Sequence, residues 1–137
     1  MITEDYIDFN LAKELKKFEI GREVIWSHYY TETGKLKTCS LDFKIPEDYY
    51  CSCPSLSIIQ KWLREKKSIF IEINNNWKQD TKSLSWLHHG YNLNVVYIKK
   101  KKSCKEISGM PFYDSYEEAL LDGINKAIKI LDSIKYS

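Results

Sequence analysis

The sequence predicts an α+β fold: an antiparallel sheet of about four strands with helices packed on one face, in the order α-β-β-α-β-β-α. Three observations lead there. Leu56, Ile59, Trp62 and Leu63 fall on one side of a helical wheel, and Gln60, Lys61, Arg64 and Glu65 fall on the other. Ile69-Phe70-Ile71-Glu72-Ile73, β-branched and aromatic, follows directly as a strand. Ala119, Leu120, Ile124, Ala127, Ile128, Leu131 and Ile134 then form the continuous apolar stripe of a closing helix.

Taken in chain order, Asp8 is the N-cap of a first helix over residues 9–17. Phe9, Ala12 and Leu15 turn inward, with Leu11 the candidate fourth. Gly21 punctuates after it. Residues 24–30 and 36–43 are β-prone, and Thr31-Glu32-Thr33-Gly34 between them reads as a short hairpin loop with Gly34 at positive φ. Residues 44–52, with Pro46 and the paired Tyr49-Tyr50, read as a loop into the second helix. Pro54 and Ser55 start that helix, and Lys66-Lys67 suit the negative end of its dipole.

Asn74-Asn75-Asn76 ends the strand that follows. Residues 77–90 read as a long connection, of the kind that is often functional or mobile. Residues 91–98 form the next strand, with Leu93, Val95 and Tyr97 on one face and Asn92, Asn94 and Val96 on the other. Residues 99–110 read as a polar connector, and Ser115 with Glu118 makes the capping box of the last helix. The two halves share this grammar but little residue identity, which is weak support for an internal repeat.

At 137 residues the chain is expected to be a single globular domain, 1–137, large enough to bury a core without metal or disulfide staples. The acidic start Met1-Ile2-Thr3-Glu4-Asp5 is unlike a secretory signal, and no apolar run reaches the length of a membrane span. The expectation is therefore a cytoplasmic protein without membrane contact, holding Cys39, Cys51, Cys53 and Cys104 as free thiols. A net charge of +2 is too small to imply a polyanion partner.

Catalytic constellations are missing. Gly34-Lys35 lacks both the upstream glycine, whose place Tyr29 takes, and the following Ser or Thr, replaced by Leu36. Neither a dinucleotide fingerprint, a nucleophile elbow nor a His-Glu-x-x-His motif occurs. Cys51-x-Cys53, His28, His88-His89, Cys39 and Cys104 offer soft ligands. The Cys-x-Cys spacing is short for a zinc knuckle, however, and adjacent histidines seldom reach one ion. Cys53 at a helix start would have a lowered thiol pKa, yet no His stands near it in sequence. The expectation is a non-enzyme without metal or cofactor.

What remains is a binding surface. Ten Tyr, four Trp and five Phe are too many for all to be buried in a domain this small. The candidate residues are Trp77, Trp86, His88 and His89 on the long connection, Tyr91 beside it, and the run Lys99, Lys100, Lys101 and Lys102. Against the aromatic reading stands a loop in which Trp86 and Leu87 fold back as a lid over the sheet. The lysine run reads either as phosphate-binding, with aromatics for base stacking, or as a solvated strand end that discourages edge association.

Tyr29-Tyr30-Thr31, Cys53-Pro54-Ser55-Leu56 running into Gln60-Lys61-Trp62-Leu63-Arg64-Glu65, Tyr91, and Tyr113 with Ala119-Leu120 and Gly123-Ile124 together carry a resemblance. The chain resembles small uncharacterised proteins encoded by phages and mobile elements of gut Bacteroidetes. That resemblance brings no activity or catalytic residue with it, only a setting: an accessory phage protein acting inside a bacterial host cell. Two function classes fit the setting. One is a protein that binds a host or viral macromolecule, such as an inhibitor of host defence. The other binds a nucleotide or short nucleic acid through aromatic stacking and the lysine cluster.

Overall fold

The computed structural model describes residues 4–39, 44–99 and 102–135, the side chains of residues 102–111 and 135 excepted. The chain divides into two compact units, Met1–Trp62 and Leu63–Ser137. The α+β class holds, but the sheet of about four strands is replaced by two antiparallel sheets of three strands each. Two strands account for the difference, and neither has a readable period. One is a two-residue piece at Cys51–Ser52. The other is the lysine-rich stretch Lys102–Tyr113, which the sequence presents as a connector.

In the first unit, α1 (Phe9–Lys16) starts where expected: Asp8 Oδ1 accepts the Leu11 N–H at 2.8 Å. Leu11, Ala12 and Leu15 are buried, while Phe9 is only half-buried, against the rings of Tyr30 and Tyr50. A 3-10 turn at Ile20–Arg22 reverses the chain, and Trp26 donates its indole N–H back to the Gly21 carbonyl. β1 is His28–Tyr30 and not the longer strand expected, although the Ser27 carbonyl still accepts the Cys39 N–H at 2.9 Å. β2 (Leu36–Thr38) pairs with it across the predicted loop, where Gly34 has φ +86°. β3 (Cys51–Ser52) pairs on the other side, giving the order β2-β1-β3.

The helix α2 (Leu56–Lys67) follows Ser55 and has the amphipathic face read from the sequence. Leu56, Ile59, Trp62 and Leu63 are buried, and Lys61, Arg64 and Glu65 are exposed. Its first N–H is accepted by the Asp5 carbonyl. The N-terminal segment is further tied in by the Tyr30 hydroxyl, which donates to the Ile7 carbonyl at 2.8 Å.

The second unit is a three-stranded sheet under one long helix. β4 (Ile69–Gln79) and β5 (Trp86–Lys99) pair so that Ile69, Ile71 and Ile73 lie opposite Tyr97, Val95 and Leu93 on one face. β6 (Lys102–Tyr113) adds to the far side of β5 with two register shifts, and Pro111 fits its place as an edge strand. α3 (Tyr116–Lys135) starts with the Ser115 hydroxyl accepting the Glu118 N–H at 3.1 Å. Its predicted stripe is buried from Ala119 through Leu131, but Ile134 lies exposed in the last turn, and Ile130 is buried with the stripe instead.

Candidate functional site

Residues 77–90, expected to be an irregular connection, continue the two strands instead. Trp77 pairs with His88, Lys78 with Leu87 and Gln79 with Trp86, leaving only a short turn at 80–85. The turn is closed by Asp80. Its N–H donates to the Ser85 carbonyl at 2.8 Å, and its carboxylate accepts the Lys82 N–H and the Ser83 hydroxyl. Those donors, Ser83 first, hold the Asp80 carboxyl below its usual range. β6 ends opposite Tyr91, so beyond that point the hairpin is an arm of two strands.

One irregularity organises the arm. Between the Asn75–Tyr91 and Trp77–His88 pairs β5 has one residue more than β4, so His89 and Gly90 oppose Asn76. Gly90 sits at φ +82°, the left-handed position of a bulge that glycine adopts without strain. The extra residue reverses the alternation of side chains and puts His88 on the same face as Tyr91. A ladder of edge-on rings results: Trp77 to His88 at 5.2 Å, His88 to Tyr91 at 4.7 Å, and Tyr91 to Tyr116 at 6.1 Å. Asn75 fixes the His88 ring, its Oδ1 lying 3.1 Å from Nε2. His89 points to the opposite face, where it meets Phe112 at 5.4 Å.

Along β4 this is the face that carries the buried Ile71 and the half-buried Ile73; it runs on past the start of α3 into water. On it Trp77 is 54% exposed and Trp86 64%; Leu87, 56% exposed, points to the opposite face with Lys78, and Leu84, 67% exposed, lies in the turn. Trp86 and Leu87 are therefore no lid. Leu84 is also held at φ +59°, a left-handed conformation that costs a branched side chain about 1–2 kcal/mol.

The structure brings Trp77, His88 and Tyr91 together, adds Trp86 at the tip, and sends His89 to the back. It does not bring Lys99 to them. Lys99 is at the far end of β5 from Trp86, roughly 40 Å away at about 3.3 Å per strand residue. Lys100 and Lys101 lie outside the described residues. Lys102, paired with Lys99, is described in its backbone alone.

The metal and nucleophile readings gain nothing. Among the described residues no three of His, Cys, Asp and Glu gather in one place. Cys51 and Cys53 are fully buried, and burial pushes the Cys53 thiol up to about 11, the reverse of what a helix N-terminus would do. Among the described residues no helix is long and apolar enough to cross a membrane.

Sequence reasoning missed a second aromatic cluster, in the first unit. Trp26 stacks on Tyr49 at 5.1 Å, and Tyr29 meets Trp26 edge-on and Tyr49 at a tilt. The Tyr29 hydroxyl donates to Asp48 Oδ1 at 2.7 Å while Lys37 donates to Oδ2. The Lys37 ammonium and the Tyr29 hydroxyl lower the Asp48 carboxyl; in return that hydrogen bond raises Tyr29 to about 12. Two clefts of about 310 and 410 Å³ flank Tyr49. The signal available in sequence was the Tyr49-Tyr50 pair beside Pro46, read only as a loop.

No protein-family model matches the chain, and neither the curated proteins nor the solved structures yield a significant match.

Proposed function

We propose that this chain is a non-enzymatic accessory protein, of the kind phages and mobile elements encode, that acts inside a bacterial cell by binding a host or viral protein through the β4–β5 arm. The observation that carries this reading is the arm's tip. Three large apolar side chains there, Leu84, Trp86 and Leu87, are more than half exposed, and Leu84 sits in a strained backbone conformation. Folding alone gains nothing from that arrangement. Strained backbone and exposed large apolar side chains concentrate where a partner docks, and Trp is enriched among residues that dominate binding energy. Inhibition of host defence is one role such a binder could fill.

The nucleotide alternative keeps the aromatic ladder but draws no support from Lys99. A mononucleotide stacked on Trp77, which pairs with His88, cannot reach Lys99 across roughly 35 Å of strand at about 3.3 Å per residue.

The test is a paired capture experiment. The wild-type chain and the Trp77→Ala/Trp86→Ala double variant are each used to capture protein from bacterial lysate and from phage-infected lysate. The captured protein is then purified and titrated back. Stoichiometric binding that the double variant loses, with unchanged Tm, supports the arm as the interface. Retained binding overturns it. Thermal shifts with nucleotides, together with the ratio of absorbance at 260 and 280 nm, decide the alternative.

A further inference from the structure

The cleft of about 310 Å³ beside Trp26 has the makings of a second, independent site. Its wall is the stacked pair Trp26 and Tyr49, backed by Tyr29 at 6.4 Å and 6.0 Å. The Trp26 ring is fixed, because its N–H donates to the Gly21 carbonyl at 3.0 Å. Ile45 stands on the rim and is 71% exposed, an apolar side chain that the fold leaves in water. Two cations line the same cleft. Lys16 is positioned by its ammonium 3.8 Å over the Tyr50 ring. Arg22 pairs with Glu19 at 3.4 Å, but both side chains are largely exposed, so that pair is weak and easily exchanged.

The geometry points to a binding site for a small planar carboxylate: a ring laid against Trp26, Tyr49 and Ile45, with its carboxylate on Arg22 and Lys16. Size supports this. A cavity of about 150 Å³ holds a benzene, so twice that volume suits a fused bicyclic ring with its acid group. Charge sets the class of anion. Lys16 and Arg22 against Glu19 leave one net positive charge at the cleft, which complements a monoanion better than a dianion. Arg22 supplies the planar fork that matches a carboxylate with two parallel hydrogen bonds. The ring wall supplies most of the contact, as in pockets where a few polar groups fix orientation against an apolar lining.

The probe is indole-3-carboxylate, compared with its neutral amide and followed through the indole N–H resonances of the four Trp residues. The acid should move the Trp26 resonance saturably at millimolar concentration and leave Trp77 and Trp86 still. The amide should bind at least about tenfold more weakly. Arg22→Gln should weaken the acid and not the amide. Ile45→Asp, at an exposed position the fold tolerates, should weaken the acid more than the amide by placing a like charge on the rim. A Trp26 resonance that stays put, acid and amide binding alike, or indifference to both substitutions overturns the assignment. None of these results depends on the arm.

Discussion

Gly123 in α3 lies so close to Ile71 of β4 that a Cβ at its position would fall 2.7 Å from Ile71 Cγ2 and 3.0 Å from Leu93 Cδ1. The absence of a side chain there is what seats the helix on the sheet. An exposed helical glycine replaced by alanine usually gains about 1 kcal/mol of helix propensity. Here overpacking of about 1–3 kcal/mol works against that gain, so Gly123→Ala should lower stability in urea denaturation. Asn125→Ala, on the exposed side of the same helix, should raise it by about a few tenths. A stabilising Gly123→Ala would mean that the helix does not seat here.

Trp62 anchors the buried face of α2 at 2% exposure, its indole N–H 3.5 Å from Glu23 Oε1. Trp62→Ala should therefore cost about 3–5 kcal/mol. Lys61→Ala, one residue away on the solvent side, should change stability by no more than about 0.5 kcal/mol. Equal effects in the two unfolding curves would show the helix face to be wrongly assigned.

The parts of this fold that were legible in the sequence are those fixed by local periodicity and local hydrogen bonds. Asp8, Ser115 and the α2 face needed no distant partner, and Ile69 to Ile73 carried enough β-branched bulk to declare themselves. The strand ends were not legible. Asn74-Asn75-Asn76 is poor in β propensity, and β4 passes through it because Trp77 to Gln79 find their partners in residues 86–88. β6 was hidden by Gly109, Pro111 and its two register shifts, which break the alternation that would mark a strand.

The candidate site divides in the same way. Composition required only that some aromatics be exposed, and the apparent loop singled out Trp77 and Trp86 while leaving a lid of Trp86 and Leu87 as the equal alternative. Their alignment with His88 and Tyr91 depends on the bulge at His89 and Gly90, a consequence of pairing across the hairpin. The separation of Lys99 from the ladder follows from strand length, which the apparent loop concealed. Tyr29 and Asp48, nineteen residues apart, meet only after the first sheet has formed.

The buried thiols make a kinetic prediction. Burial raises both Cys51 and Cys53, and Cys53 Sγ lies 3.5 Å from the Ile7 carbonyl oxygen. Cys39 is only half-buried. Under native conditions iodoacetamide should label Cys39 well before Cys51 or Cys53, which should react only as the first unit unfolds. Mass spectrometry of timed digests reads the order. Cys53 labelling as fast as Cys39 would contradict its burial.

Stability should fall at both ends of the pH scale through the same pair. Asp48 is depressed in the folded state, so its contribution is present above its unfolded value of about 4 and is lost as pH falls through the lower folded value. Tyr29, held by Asp48, and Tyr30, held by burial, are both raised to about 12. Their contribution is complete below an unfolded value of about 10 and is lost as pH rises towards the folded one. Urea midpoints should form a plateau between these limits. Tyr29→Phe removes one of the donors that depress Asp48, so it should soften the acid limb as well as the alkaline one. Two unmoved limbs would show that the pair contributes nothing.

Leu84 gives the sharpest test of the arm, because strain and exposure pull stability and binding in opposite directions there. Its φ of +59° suits glycine, and its side chain is 67% exposed. Its carbonyl accepts from the Gln79 side-chain Nε2 at 3.0 Å and its N–H donates to the Asp80 carbonyl, bonds to the Leu84 backbone that any residue could keep. Leu84→Gly relieves the left-handed penalty at some cost in unfolded-state entropy, for a net gain of roughly 0.5–1 kcal/mol in the hairpin. Leu84→Asn, which tolerates the same backbone, should behave alike. Slower amide exchange at the hydrogen-bonded Asp80 and Leu84 would report the gain, since the arm opens locally and Tm senses it weakly. If the tip is the docking surface, both variants should also weaken capture of the partner identified with the wild-type chain. A hairpin that exchanges faster in both variants would place the Leu84 side chain in a structural role and remove the argument that its exposure serves a partner.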